Sequence, residues 1–405
     1  MFLRLLGKEM KYQFKSVTFY LFIFVVGLFY FTQFAPPDIN SSLKPVPPNE
    51  LEQSGNKYHS PYGITIDREP RAQIKAVYIQ MLQDLTREEY LSFGSIINRS
   101  IKLSEEKKKA LMDAMEEISP GTLDAKNLKI EKEGLNINVT FERFEEIARG
   151  LDRKLGGSTV YSDAYRLNIS QRPRTYEEAV EDFNSLLQKD KLTNGYGRYF
   201  ADYMGITAGF FPIFLAAFLL TRDRRSRMHE LINSRKVSSV VYLTAKFTAL
   251  SAVLLLCYLV FATHAAYVFY MIASANSYSI DMLAFYKYTL FWVLPTILFT
   301  TSVGMLISTI FDYGIVAIPV QFIIWMSSML PLKGDYSLYK SVLRFNTVGD
   351  YDLYIKWLPA ILTNRVLCTI ISIVLVLIAS WIWSWKRGAG DGLISRLSKL
   401  GTIQR

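Results

Sequence analysis

The chain has 405 residues, of which 50% are hydrophobic and 14% are aromatic. These shares exceed ordinary soluble usage and indicate a membrane protein. The net charge of +10 does not point to nucleic acid, because the excess cations flank apolar segments, where they are expected to orient the chain in a membrane.

Six apolar stretches of the sequence are long enough to cross a bilayer core of about 30 Å, which takes roughly 20 helical residues. We therefore predict an all-α transmembrane bundle of six helices, together with a mixed but mainly helical extracytoplasmic domain. The predicted spans are 16–37, 199–221, 239–273, 288–311, 313–332 and 366–385.

The first 15 residues are predicted to form an amphipathic helix that lies in the headgroup layer, with its cations near anionic lipid. The apolar run behind this helix is too long for the core of a cleaved signal peptide and is expected to remain as an anchor. The predicted apolar face consists of Phe2, Leu5, Leu6, Met10 and Phe14, and the offset cations are Arg4, Lys8 and Lys11.

The positions of Lys and Arg predict the orientation of the spans, since basic residues near span ends tend to stay cytoplasmic. Segments 1–15, 222–238 and 386–405 carry 4, 6 and 5 basic residues against 1, 2 and 1 acidic residues. We expect these segments, and so both termini, on the cytoplasmic side of a bacterial cell membrane. Residues 38–198 then form the extracytoplasmic domain, and 333–365 form an outer loop.

The predicted extracytoplasmic domain differs from the rest of the chain in its charge. Residues 38–202 contain 24 basic and 27 acidic residues, so this part is nearly neutral. Capping and hydrophobic patterns predict local structure within it. The predicted features are two capping boxes, at Thr86 to Glu89 and Thr175 to Glu178, a helix over 104–118 with Leu111, Met115 and Ile118 inward, and strands at 63–67 and 135–140.

Few ionisable side chains fall within or beside the predicted spans. Asp202 and Lys246 lie at span ends, where their side chains are expected to reach the interface. His264 lies on an apolar span and is predicted to be a hydrogen-bonded packing residue rather than a proton relay. Cys257 and Cys368 both fall inside spans, so we predict small buried residues and no disulfide framework.

Motifs for catalysis, nucleotide binding and metal binding are missing from the sequence. GxxxxGK[ST], HExxH and CxxC do not occur, and the three histidines are scattered. We therefore expect a chain that is not an enzyme and that holds no cofactor or metal of its own.

One basic segment, RDRRSRMHELINSRKVSSVVYLTAK at 222–246, lies between the second and third predicted spans. Its order of features, an E-L-[LI]-x-S core, a Val-Ser pair and an Ala-Lys start to the next span, resembles the ABC type-2 exporter permeases. The six-span layout and the large insert resemble that family too. Lys236 replaces the family's common Pro, and the usual Gly ahead of Glu230 is missing. The matching positions are Glu230, Leu231, Ile232, Ser234, Val237, Ser238, Ala245 and Lys246.

The resemblance implies a permease subunit of an ATP-driven exporter. Such permeases pair with separate ABC ATPase subunits, which bind ATP and Mg, and two permeases, identical or paralogous, form the pore. The stretch 1–15 corresponds to the family's elbow helix. The segment 222–238 corresponds to the coupling segment, in which a helix docks in a groove of the ATPase through apolar residues and arginines. The residues implied are Arg224, Arg225, Arg227, Met228, Glu230, Leu231, Ile232 and Ser234, with Asp312 as a second cytosolic contact.

Two other functions stay open at this point. A membrane-anchored sensor or receptor would bind a ligand with residues 38–198 and signal through the basic segment. An intramembrane enzyme would need a cluster of polar catalytic groups at membrane depth, and the predicted spans contain few such groups. Association with an ATPase would favour the permease, and ligand binding without that association would favour the sensor.

Overall fold

The chain folds into two compact units. One consists of Met1–Leu43 and Asp182–Arg405 and is called the helical unit below; the other, Lys44–Glu181, is called the insert. The computed structural model describes residues 2–53, 60–93, 98–121, 135–163, 165–166, 169–222, 238–330, 332 and 335–389.

Most of the described residues lie in helices, and the strands are short. In chain order the helices and strands are α1 (Phe2–Phe14), α2 (Val17–Phe29), α3 (Pro48–Gln53), β1 (Ile64–Ile66), α4 (Pro70–Arg87), β2 (Glu89–Phe93), β3 (Asn98–Lys102), α5 (Glu105–Ile118), α6 (Phe141–Leu155), β4 (Gln171–Pro173), α7 (Tyr176–Lys189), α8 (Thr193–Phe210), α9 (Ile213–Leu219), α10 (Ser239–Asn276), α11 (Ala284–Tyr288), α12 (Leu294–Phe311), α13 (Ala317–Met329) and α14 (Tyr351–Ala389). Two π-helical turns, Tyr30–Phe34 and Thr289–Val293, continue α2 and join α11 to α12.

Five helices of the helical unit are long and apolar enough to cross a membrane, counted over the described residues. The sixth predicted span, 313–332, corresponds to the shorter apolar stretch Gly314–Met329. At about 1.5 Å per residue, this stretch reaches about 24 Å, which is less than the roughly 30 Å of a bilayer core. The five long helices are Val17–Phe34, Thr193–Leu219, Ser239–Asn276, Ala284–Phe311 and Tyr351–Lys386.

Close helix packing in the helical unit depends on a glycine. Gly304 of α12 faces α9 so closely that an added Cβ would lie 2.7 Å from the Cβ of Ala216. Real side chains do not approach to this distance, so any larger residue would push the two helices apart. Gly304 therefore sets the spacing between α9 and α12.

The segment between α13 and α14 differs from the outer loop predicted over 333–365. Residues 340–345 have no regular secondary structure, yet all of them are buried. Trp292 Nε1 donates to the carbonyl oxygen of Leu343 at 3.2 Å. The hydroxyl of Thr296 donates to the carbonyl oxygen of Ser341 at 3.0 Å. Irregular backbone inside an apolar bundle needs such partners. In addition, α14 starts at Tyr351, so the second part of the predicted loop is helical.

The insert has its own core, in which α4, α5 and α6 pack together with β2. Its strands form two antiparallel pairs, β1 with β4 and β2 with β3. The helix predicted over 104–118 is confirmed as α5, with Leu111, Met115 and Ile118 fully buried. The strand predicted at 63–67 is confirmed as β1. The strand predicted at 135–140 is wrong, because these residues form no β-ladder and lead directly into α6.

Of the two predicted capping boxes, one is confirmed. The amide of Glu178 donates to the hydroxyl of Thr175 at 3.2 Å, and the amide of Thr175 donates to the carboxylate of Glu178 at 3.0 Å. Arg172 also binds Glu178, and its hydrogen bonds lower the pKa of that carboxyl from 4.5 to about 2. Since the folded-state pKa is depressed, the box stabilises α7 above about pH 4.5 and loses this effect as the pH falls towards 2.

The other predicted box is wrong. Thr86 lies in the last turn of α4, where its hydroxyl donates to the carbonyl oxygen of Leu82 at 2.8 Å. The sequence pattern is the same as at Thr175, but α4 begins at Pro70 and ends at Arg87, inside the motif, and Glu89 starts β2. Tertiary packing of α4 therefore overrides the local start signal.

Replacement of Thr175 by Ala should weaken the first turn of α7 by about 1 kcal/mol, the usual value of a lost N-cap. We expect the amide of Glu178 to exchange hydrogen roughly fivefold faster. Hydrogen–deuterium exchange of the full-length protein measures this change, and Thr86→Ala is the matched control. Equal effects of the two substitutions would contradict the capping assignment.

Candidate functional site

The residues that the resemblance assigns to ATPase coupling lie outside the described residues. They are Arg224, Arg225, Arg227, Met228, Glu230, Leu231, Ile232 and Ser234. The structure does describe the chain on both sides of them, up to Arg222 and from Ser238 onwards. The candidate site can therefore be built from these flanks and from the helices that contact them.

Both flanks are bound by a single carboxylate on the N-terminal helix. Helix α1 packs against α10, and one oxygen of Glu9 accepts a hydrogen bond from Lys246 Nζ at 2.7 Å. The other oxygen of Glu9 accepts from Arg222 Nη2 at 2.9 Å. We call these three residues the Glu9 cluster. They connect α1, the residues after α9 and the first turns of α10.

The Glu9 cluster is largely shielded from solvent. The side chain of Lys246 is 0% exposed and that of Glu9 is 7% exposed, whereas that of Arg222 is 38% exposed. The prediction that Lys246 reaches the interface is therefore wrong. Lys246 lies about two turns inside α10, and α1 brings a carboxylate to it, so the ammonium does not need to reach water.

Sequence reasoning did not identify Glu9. It is the single acidic residue in 1–15, and the predicted lipid-facing helix gave it no role. The structure shows that the buried residues of α1 are Glu9 and Gln13, one turn apart, while Phe14 of the predicted apolar face is exposed. The sequence did carry one signal: Glu9 is the single acid beside four cations in 1–15. An isolated acid of this kind is a candidate partner for a cation elsewhere in the chain.

Asp312, the predicted second cytosolic contact, belongs to a different ion pair. It ends α12 in a left-handed conformation with φ of 62°. Both of its carboxylate oxygens lie 2.9 Å from Lys386 Nζ, and the same ammonium donates to the carbonyl oxygen of Thr309 at 2.7 Å. The ion pair therefore attaches the C-terminal end of α12 to α14. Gly314 packs on Ala217 of α9, which places Asp312 at the same end of the bundle as Arg222.

A second set of buried charges holds the irregular segment 340–346. Asp202 is 0% exposed and lies 3.1 Å from Arg344 Nε through each of its oxygens. It also accepts the amide of Phe345 at 2.6 Å. The prediction that Asp202 reaches the interface is wrong, because residues far along the chain bring it a cation and an amide.

Arg365 supports the same segment from α14. Its guanidinium donates to Thr296 Oγ1 at 2.8 Å, to Asn364 Oδ1 at 2.6 Å and to the carbonyl oxygen of Ser341 at 3.3 Å. A nearby pair, Arg198 and Asp190, is bidentate with both distances at 2.6 Å. Arg365 is bound by neutral acceptors, whereas Arg198 has a countercharge. The described residues contain no group of three or more His, Cys, Asp or Glu that could hold a metal.

His264 behaves as predicted for a packing residue. Its Nδ1 lies 2.8 Å from the hydroxyl of Tyr30, and its ring makes edge-on contacts with Tyr30 and Phe31. The hydrogen bond joins α10 to the π-helical turn that follows α2. The hydrogen bond and the ring contacts are those of a packing residue.

Replacement of Glu9 by Gln should destabilise the helical unit by about 3–5 kcal/mol, because the buried ammonium of Lys246 loses the carboxylate that it contacts. Lys246→Met should cost less, since Glu9 keeps Arg222. The double variant should recover much of the loss of Glu9→Gln. Thermal unfolding of the full-length protein in detergent measures these shifts, with the exposed Lys11→Gln as control. A double variant no more stable than Glu9→Gln would contradict the pairing.

A comparable test applies to the pair that holds segment 340–346. Arg344→Met should cost about 3–5 kcal/mol, because it leaves the carboxylate of Asp202 buried without its cation. Adding Asp202→Asn should recover part of this loss, since the uncharged amide oxygen can still accept from Phe345. Unfolding by titration with SDS reports the stability, and Lys356→Met on the exposed face of α14 is the control. Loss of the same size in the control would argue against a specific pair.

Comparison with models of protein families identifies a match to this chain. The model of a family described as ABC-2 family transporter protein matches residues 81–382, which is about three quarters of the chain. The matched region contains the Asp202–Arg344 pair, both flanks of the predicted coupling residues and Asp312. Neither the comparison with curated proteins nor that with solved structures gives a match.

Proposed function

The chain belongs to the ABC-2 family of transporter proteins, and from this premise we propose that it is the transmembrane permease subunit of an ATP-driven exporter. The observation that carries the proposal is the Glu9 cluster. One buried carboxylate binds the cations on both sides of the segment that the family resemblance assigns to ATPase coupling. A displacement of that segment would therefore act on α1, α9 and α10 together.

The energy source in this proposal is a separate subunit. The chain contains no phosphate-binding loop, so ATP and Mg²⁺ would be bound by a partner ABC ATPase. Two ATPase subunits would pair with two permeases, either two copies of this chain or this chain and a paralogue. The arginines and apolar side chains of 224–234 would then supply the contact with the ATPase.

Coupling in this proposal is a shift between two conformations of the permease. Closure of the ATPase pair would favour one conformation through differential contacts with the coupling segment. Buried ion pairs transmit such a shift well, because breaking them is costly and the elements that they join move together. The breaks in the long helices, at Pro212 and at Thr289–Val293, supply places where the spans can bend.

The orientation in this proposal follows the distribution of charge. Arg222, Lys246 and Lys386 lie at the end of the bundle where α1 packs, and that end would face the cytoplasm. Export, rather than import, is proposed from the resemblance to exporter permeases. The membrane would be the bacterial cell membrane, with the insert on its outer side.

A sensor or receptor is the second candidate function, because the insert is a compact unit with its own hydrophobic core. Such a unit can bind a ligand without any transport. A cleft of about 440 Å³ between α5 and α6, lined by charged residues such as Arg143 and Glu146, is a place where a polar ligand could enter. Ligand binding by the full chain with no associated ATPase would favour this function.

The proposal is tested by replacing Glu230 and Leu231 together with Ala. The purified complex should lose most of the ATPase activity that depends on this chain, because the docking contact is lost, while membrane insertion stays intact. Phosphate release from ATP measures the first effect, and protease protection in vesicles measures the second.

A matched control for this test is Glu89→Ala with Leu91→Ala, an exposed Glu and Leu in β2 of the insert. It should leave the ATPase activity unchanged. Unchanged activity in the Glu230 and Leu231 variant would remove the coupling assignment. Absence of any co-purifying ATPase from the wild-type preparation would contradict the permease function itself.

A further inference from the structure

The second candidate span, Thr193–Leu219, is not a continuous helix. Residues 211–212 separate α8 from α9, and we call them the break. Pro212 has no backbone amide, so the carbonyl oxygen of Ala208, four residues earlier, lacks the donor that a continuous helix would supply. In the apolar interior of a bundle, such a carbonyl group needs another partner.

Side chains from two other helices supply this partner. On α12, Thr300 Oγ1 lies 3.1 Å from the carbonyl oxygen of Ala208 and 3.2 Å from that of Gly209. On α13, Gln321 Nε2 donates to the carbonyl oxygen of Gly209 at 2.6 Å and to Thr300 Oγ1 at 3.4 Å. Both Thr300 and Gln321 are 0% exposed. The backbone at the break is therefore held by residues that lie far along the chain.

Helix α13 lies along this span and contacts it before, at and after the break. Before the break, Trp325 Nε1 donates to the carbonyl oxygen of Ile206 at 3.0 Å. At the break lies Gln321. After the break, Gly314 packs so closely on α9 that an added Cβ would lie 2.2 Å from the carbonyl oxygen of Ala217. These contacts follow the two segments in antiparallel order, so that α13 bridges the break.

Only the donor side of the Gln321 amide is used. Its Oε1 is buried and has no hydrogen-bond partner among the described residues. A buried acceptor without a partner costs free energy, and an apolar side chain of similar size would avoid this cost. The bond to Gly209 is therefore the property of this side chain that the fold uses. The cost of the unpartnered oxygen also offsets part of what the bond contributes, so the attachment is weak.

The two sides of the break are attached to different parts of the helical unit. On the α8 side, Gly209 packs against Val342 of segment 340–346, so closely that an added Cβ would lie 2.2 Å from Val342 Cγ2. On the α9 side, the chain continues to Arg222, a member of the Glu9 cluster. The bend at the break therefore fixes where Arg222 lies relative to segment 340–346.

From these contacts we propose that α13 sets the bend of the second span and that Gln321 is the positioning residue that holds it. While the Gln321 amide binds Gly209, α9 keeps one angle to α8. A shift of α13 would withdraw this donor and allow α9 to pivot at Pro212. In the proposed permease, the break would relate the position of Arg222 to that of segment 340–346. This last step rests on the proposed function, whereas the control of the bend does not.

A stability cycle with Pro212→Ala tests whether side chains replace the missing helical donor. Pro212→Ala restores an amide at the break, so the carbonyl oxygen of Ala208 no longer depends on a hydroxyl. In the wild-type background, Thr300→Val should raise the unfolding constant about fivefold, the usual effect of one lost hydrogen bond. In the Pro212→Ala background the increase should fall below about twofold. Titration of the full-length protein with SDS measures both constants.

The matched control for this cycle is Thr309→Val. Thr309 is also 0% exposed and lies on α12, but its hydroxyl donates to the carbonyl oxygen of Met305 in its own helix at 2.7 Å. Its replacement should have the same effect in both backgrounds. Equal effects of Thr300→Val in the two backgrounds would overturn the proposal.

The bend itself is measured by double electron–electron resonance between spin labels at two exposed positions, Phe218 of α9 and Trp381 of α14. Cys257→Ala and Cys368→Ala first remove the native thiols. The wild-type side chain at 321 should give one narrow distribution of distances. Gln321→Met keeps an unbranched side chain and removes the donor, so it should broaden this distribution by about 3 Å. A change of about 20° at the break moves the far end of α9 by that amount.

Labels at Tyr20 of α2 and Trp381 form the control pair, because neither position lies on α9. Their distance distribution should stay unchanged in Gln321→Met. An unchanged distribution for the Phe218 pair, or equal broadening of the control pair, would contradict the role of Gln321. If Gln321→Met folds only together with Pro212→Ala, this rescue supports the proposal, and failure to fold in both backgrounds overturns it. Neither measurement involves an ATPase, so these results are independent of the test of the permease function.

Discussion

A charge buried in an apolar helical bundle needs polar partners, most often a countercharge, and ion pairs of this kind organise both ends of the helical unit. Removing one member of such a pair costs about 3–5 kcal/mol, which is a large part of the stability of a typical domain. Lys246 and Asp202 are both fully buried and both paired. Each pair attaches a piece of chain that is not itself a span: α1 in one case, and residues 340–346 in the other.

The buried charges hold different kinds of structure at the two ends of the helical unit. At the α1 end, a helix of 13 residues is attached to the bundle through the Glu9 cluster, which also holds the chain on both sides of residues 223–237. At the opposite end, Arg365 and Asp202 bind the backbone of an irregular segment, so that its polar groups are satisfied without regular secondary structure. The first arrangement links several elements through one carboxylate, and the second fixes the course of irregular backbone.

Local properties of the sequence determined the class of this protein, the long apolar helices, helix α5, the Thr175 capping box and the resemblance that the family match later confirmed. Span length, apolarity and capping depend on residues within a few turns of one another, so a single sequence displays them. The predictions that Lys246 and Asp202 reach the membrane interface were wrong, and the predicted outer loop contains the buried residues 340–345. The positions of all these residues depend on partners elsewhere in the chain. Glu9 and Lys246 are 237 residues apart, and Asp202 and Arg344 are 142 apart. Only the tertiary structure decided these pairs, because no local pattern records which carboxylate meets which cation once the helices pack.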